Sequence, residues 1–209
     1  MQFTKQEIAV LKKLNTHAKI QDFINKIPIN FEEDGKDSCL SPISVLRKNK
    51  CHCIEGAFLA AFVLWLNGIG KPLVLDLRGT KDDYDHVIAL FKEEGKWGCI
   101  SKTNHAVLRY REPIYRDIRE LVMSMFHEYS DSKGNKTLRE YSLPVDLRMF
   151  GKEWVISDED LWHIHDYLDS VKHFPILTKK QEKNLRKQDK IEIMLDDITE
   201  YKRSKNKKP

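Results

Sequence analysis

The sequence predicts an α+β protein in which one buried helix packs on an antiparallel sheet. Residues Cys53 to Leu66 are good helix formers, apolar on almost every face, and stop at Asn67-Gly68, the pattern of a central helix and not of a surface one. Three short apolar runs then follow, Pro72–Leu77, His86–Phe91 and Trp97–Ser101, and the last two are separated by only Lys92-Glu93-Glu94-Gly95-Lys96. That spacing suits a hairpin, and so antiparallel pairing, with Gly95 at the position needing positive φ. The chain's 209 residues, 41% of them hydrophobic and 33% charged, suffice for one substantial core.

Element by element, Ile8, Leu11 and Leu14, then Ile20, Phe23, Ile24 and Ile27, recur at helical spacing until Pro28 breaks the pattern. Asn30 to Lys50 is polar and rich in Asp, Ser, Gly and Pro, and is expected to be a long loop. Leu73, Leu75 and Leu77 form a period-2 face on a strand, and Gly79 to Asp85 makes an acidic turn. After the hairpin, Ile114, Ile118, Leu121, Val122 and Met125 predict an amphipathic helix following Pro113. From Asp131 onward, loops alternate with a helix starting at Ser157-Asp158-Glu159-Asp160 and a charged helix over Lys179 to Tyr201. The expected organisation is a core over residues 1–130 and a C-terminal extension over 131–209.

Charge narrows the choice of partner. The net +4 resides in the last segment, where Lys179 to Pro209 holds 11 basic against 6 acidic residues, leaving −1 for the remainder. The globular part thus lacks the basic excess of a nucleic-acid-binding domain, and the Lys202–Lys208 run is read as solvated. The longest apolar run, Ala57 to Leu66, is about half of the ~20 residues needed to span a bilayer, and the N-terminus has no signal-like stretch. A cytoplasmic protein without membrane contact is expected. The four cysteines, Cys39, Cys51, Cys53 and Cys99, form no CxxC pair and are expected to be reduced. No glycine-rich phosphate loop or calcium loop is present in the sequence, so neither an organic cofactor nor a metal is implied.

The chemistry points to Cys53. A thiol is a nucleophile as thiolate, and a helix N-terminus together with an imidazolium lowers its pKa. Cys53 opens the buried helix and His86 opens a strand, while the hairpin returns Ser101 and Asn104 beside His86. Either of these two can hydrogen-bond the second imidazole nitrogen and fix the ring's tautomer.

Cys53-Ile54-Glu55-Gly56-Ala57, the long apolar helix and its exit through Asn67-Gly68-Ile69-Gly70-Lys71-Pro72 resemble the nucleophile block of the transglutaminase-like branch of the papain-like cysteine enzymes. Asp85-His86-Val87 resembles that family's histidine strand, and Trp97 to Ser101 occupies the place of an aromatic followed four residues later by the third catalytic residue. The resemblance spans roughly residues 20 to 128 and is closest to bacterial members of unassigned role. It implies a papain-like fold and attack by Cys53 on an amide of a peptide, protein or small molecule, with His86 as base and then acid. It also implies Ser101 or Asn104 as the orienting group, and the Cys53 backbone N–H as an oxyanion donor. Water as acceptor makes the reaction a hydrolysis, and an amine makes it acyl transfer. The departure is at position 101, where the family's Asp is replaced by Ser, which accepts a hydrogen bond but carries no charge. An inactive binding or scaffold module of the same fold is the alternative.

Rival readings attach to several residues. Cys51 precedes the helix and is read as a loop or cleft thiol. Cys51-His52-Cys53 with His86 or His105 has ligand types that suit zinc, but one intervening residue strains chelation by both cysteines. His163, His165 and His173 are read as exposed or capping. Glu55 opposes the thiolate if it points into the site and supports the helix N-terminus if it points away. Arg109, Arg111, Arg116 and Arg119 are expected to pair with interleaved Glu112, Asp117 and Glu120. Trp65 and Trp97 are read as core.

Overall fold

The computed structural model describes residues 2–32 and 35–203, so most of the basic Lys202–Lys208 run lies outside the described residues. Helices α1 (Lys5–Lys12), α2 (His17–Asn25), α3 (Pro42–Lys48) and α4 (Cys53–Leu66) precede strands β1 (Leu73–Arg78), β2 (His86–Glu93), β3 (Lys96–Ile100) and β4 (Arg111–Tyr115). Then come α5 (Ile118–Met123), β5 (Glu140–Ser142), β6 (Val145–Asp146), α6 (Trp162–Ser170), β7 (His173–Pro175), α7 (Lys179–Lys183) and α8 (Lys190–Asp196). The strands form one antiparallel sheet in the order β4-β3-β2-β1-β5-β7, with β6 also paired to β1. The protein is therefore α+β with an antiparallel sheet.

Helix α4 is the axis of the core. Every residue from Ile54 to Leu64 is buried, because β1 and β2 cover one side while α1, α2 and α3 cover the others. Burying side chains such as Phe58, Leu59 and Leu64 stabilises the fold by about 1.5–3 kcal/mol each. At its C-terminus Gly68, at φ 67°, lets the Ile69 N–H reach the Leu64 carbonyl and its own N–H reach Trp65.

The sheet separates two clusters by period-2 alternation. Val74, Val87, Ala89, Phe91 and Ile100 face α4. Leu75, Leu77, Ile88, Leu90 and Cys99 face α5 with Met125, Phe126 and Tyr129. The hairpin turns on Glu94 and Gly95, with Gly95 at positive φ as expected and Glu94 at positive φ as well.

The structure corrects three element assignments and places the segment after residue 131. The chain from Asn30 to Lys50 contains α3, whose Ser41 side chain accepts from the Ser44 N–H and whose Pro42 opens the first turn. Arg111–Tyr115 is a strand, since pairing with β3 outweighs the helical stripe through Ile114, and α5 begins only after its Asp117 cap. The segment after residue 131 is built into the same sheet and core: β5 and β6 pair with β1, β7 pairs with β5, and Trp154, Leu161, Ile164 and Leu168 join the α4 cluster. The charged helix expected over Lys179 to Tyr201 is interrupted, forming α7 and α8. Trp65 and Trp97 pack against the two clusters as expected. Among the described residues no helix is long and apolar enough to cross a membrane.

Candidate functional site

Cys53 is the first residue of α4 and is only partly buried, so its thiol sits at the helix mouth and its N–H is among the helix's unpaired first-turn donors. Burial raises the thiol's pKa, but hydrogen bonds to His52 and His86 and the charges of both rings outweigh it, holding Cys53 well below the ordinary thiol range. The other three thiols are buried. Burial pushes Cys51 and Cys99 up to about 12 and Cys39 higher still.

The hairpin delivers Ser101 to His86 at 2.8 Å between Oγ and Nε2. Ser101 has a single hydroxyl hydrogen and donates it to the Leu108 carbonyl at 2.6 Å, so its lone pair accepts from His86 and Nε2 must carry the proton. Nδ1 is then the nitrogen left for Cys53. Ser101 is in turn held by Gln21 of α2, whose amide accepts from the Ser101 N–H at 2.9 Å and donates to the Ser101 carbonyl at 2.8 Å. The structure thus brings together Cys53, His86 and Ser101. Asn104 stands apart, its side chain bonded to the Tyr201 backbone in both directions, at 3.0 and 2.9 Å.

Glu55 points away from the thiol. Fully buried, it accepts from the His52 N–H at 2.9 Å, the Leu40 N–H at 3.0 Å, the Ser38 hydroxyl at 2.7 Å and the Asn30 amide at 3.3 Å. It ties Asn30, Ser38 and Leu40 to the helix N-terminus. Its neighbour His52 donates Nε2–H to the Ser38 carbonyl at 2.9 Å and lies 3.5 Å from Glu55 and 3.6 Å from Glu32. Although burial opposes its charge, the hydrogen bond to Cys53, the charges of Cys53 and Glu55, and the Ser38 bond raise His52 to about 9.

Sequence reasoning weighs His52 only as a metal ligand. The signal that identifies it is its place at the N-cap of α4, directly before Cys53, where a side chain sits at the helix mouth. Gln21 gives no such signal, being one polar residue of an amphipathic helix.

Gly56 admits the strand end that carries Ser101. A Cβ at this position would lie 2.5 Å from Lys102 Cβ. Lys102, 1% exposed, donates to the carbonyls of Ile24 and Ile27 at the end of α2 and stacks over Tyr201. Gly56→Ala is therefore expected to destabilise the protein by about 1–3 kcal/mol through overpacking and to loosen the His86–Ser101 contact. Urea melts and the acid-side reactivity of Cys53 check this, and unchanged values in both would refute it.

The remaining candidates lie elsewhere. Among the described residues, Asp76, Asp85 and Asp169 alone bring three potential ligand atoms within 4.8 Å of one another, and Arg78 lies within 3.8 Å of Asp85 and Asp169 as counter-ion. His163 is exposed and His165 half-exposed, as expected. His173 is not: its side chain is 5% exposed and meets buried Asp76 at 3.0 Å, joining β7 to β1. Arg116 pairs with Glu120 as expected, whereas Arg109 and Arg111 find Glu200 and Glu128, residues distant in sequence. No model of a known protein family matches the chain, and no curated protein matches it.

Proposed function

We propose that this chain is a transglutaminase-like cysteine enzyme of papain-like fold that cleaves amide or peptide bonds through a thioester on Cys53. The observation that carries the reading is the proton order along Leu108, Ser101, His86 and Cys53, which leaves one imidazole nitrogen aimed at a thiol on a helix N-terminus.

In the first half-reaction the Cys53 thiolate adds to the substrate carbonyl carbon, and the Cys53 N–H donates to the developing oxyanion. His86, holding the former thiol proton on Nδ1, passes it to the leaving nitrogen as the C–N bond breaks. In the second, water or an amine gives a proton to His86 and attacks the thioester carbonyl, the C–S bond breaks, and the thiolate re-forms. The substrate is a peptide, protein or small amide.

Alkylation of Cys53 against pH, read by peptide mass, tests this. The thiolate is present above the lowered pKa, so reactivity is expected to persist below neutral pH, well under the midpoint of ~8.5 of a free thiol. Because Ser101 places no charge behind His86, a binding or scaffold module is the second reading. A midpoint near ~8.5 would establish it and remove the enzyme assignment.

A further inference from the structure

Two imidazoles meet one thiol in this site, and they are backed differently. His86 rests on the Ser101 hydroxyl, which is neutral and whose hydrogen is already given to Leu108. His52 rests on the Ser38 carbonyl at 2.9 Å, with the carboxylates of Glu55 and Glu32 at 3.5 and 3.6 Å. In both rings Nε2–H donates to a protein oxygen, so in both Nδ1 is the nitrogen left for Cys53. The negative charge that ordinarily stands behind a catalytic imidazolium is therefore present at this site, behind the other histidine.

We propose that His52, backed by buried Glu55, is the fixed cation that keeps Cys53 as thiolate, and that His86 is the mobile proton carrier. This rests on the reading of Cys53 as a nucleophile. In the cycle His52 keeps its proton throughout. Its charge offsets the thiolate in the resting enzyme and, facing the sulfur of the thioester, favours departure of that sulfur in the second half-reaction. His86 takes the thiol proton, passes it to the leaving nitrogen and recovers one from the acceptor. The proton thus moves only through His86, and the charge behind the sulfur does not disappear when His86 becomes neutral.

The neighbours support the division. Cys53, Glu55 and Glu32 face His52 and favour its imidazolium, while His86, across the same thiol, opposes it when protonated. Cys39, Cys51 and Tyr129 also feel the charge of Cys53, and burial pushes each of them up, so they stay neutral near pH 7. Glu55 has four further hydrogen-bond donors holding its oxygens, which keeps the carboxylate in place beside the ring.

The test is the pH profile of Cys53 alkylation by iodoacetamide in the full chain, in His52→Gln and in His86→Ala, with folding verified by thermal melts. His52→Gln is expected to raise the midpoint by at least one pH unit, a tenfold loss of thiolate at acid pH, while His86→Ala raises it less. A low midpoint in the unsubstituted chain that His52→Gln leaves unmoved overturns the role of His52 and leaves the cysteine-enzyme reading standing. An ordinary midpoint in the unsubstituted chain overturns both. Ring NMR of the unsubstituted chain gives a second measurement that needs no folded His52 variant. His52 is expected to titrate near 9 there and to fall toward ~6.5 in Cys53→Ser, and titration near ~6.5 in the unsubstituted chain refutes the proposal.

Discussion

Replacing Cys53 by Ala is expected to abolish covalent labelling by an activated acyl ester at neutral pH, even though three thiols remain. Reactivity requires thiolate and access together. Cys39, Cys51 and Cys99 are buried, and burial raises all three, with Cys51 and Cys99 near 12, so none supplies thiolate at pH 7. Cys53 is the cysteine residue of the four that is only partly buried, with a helix N-terminus and two imidazoles beside it. Intact mass with peptide mapping reads the result, and undiminished acyl adduct in the variant would end the assignment of Cys53 as nucleophile. His86→Ala is expected to retain a folded thiol while losing on the order of 10²–10⁴-fold in any amide turnover, the usual contribution of a general acid–base group.

Glu55→Ala is expected to be the most destabilising change in the site, by roughly 3–5 kcal/mol, because it removes a fully buried acceptor from four buried or partly buried donors at once. The His52 and Leu40 N–H groups, the Ser38 hydroxyl and the Asn30 amide all point at this one carboxylate. For a chain of this size that loss corresponds to a fall of roughly 10 °C in Tm. Glu55→Gln falls in between, since its amide keeps one acceptor oxygen and turns a donor toward the remaining N–H groups. A change of less than about 2 °C in the Ala variant would show that Asn30, Ser38 and Leu40 are held by other contacts. The same side chain gives Asn30, Ser38 and Leu40 their hold on the helix mouth and His52 its counter-charge, so stability and site chemistry share a residue.

Local pattern makes much of this arrangement legible. An apolar run of helix formers ending in Asn67-Gly68 can satisfy its backbone only as a helix and hide its surface only at the centre, which puts Cys53 at the N-terminus of α4. A two-residue turn through Glu94-Gly95 dictates antiparallel pairing, and with it the return of Ser101 to His86. Both inferences rest on short-range geometry, where the residues that decide are within a few positions of those decided.

The amphipathic stripe after Pro113 misleads because the apolar spacing of Ile114 and Ile118 fits a helix, while the β3 edge offers residues 111–115 a ladder of backbone partners that propensity does not see. Asn104 is nearly as close to the hairpin in sequence as Ser101 is, and only the path of the C-terminal segment, which places Tyr201 against its amide, removes it from the site.

The sequence by itself therefore determined the class of the fold, the position of Cys53 on its helix and the strand that carries His86, because each follows from periodicity and turn chemistry. Tertiary structure alone decided which side of the helix Glu55 took, that His52 shares the thiol, that Gln21 clamps Ser101, and that the chain beyond residue 131 completes the sheet. Those outcomes depend on which distant groups arrive to satisfy a buried polar atom, and such partners lie tens of residues away along the chain.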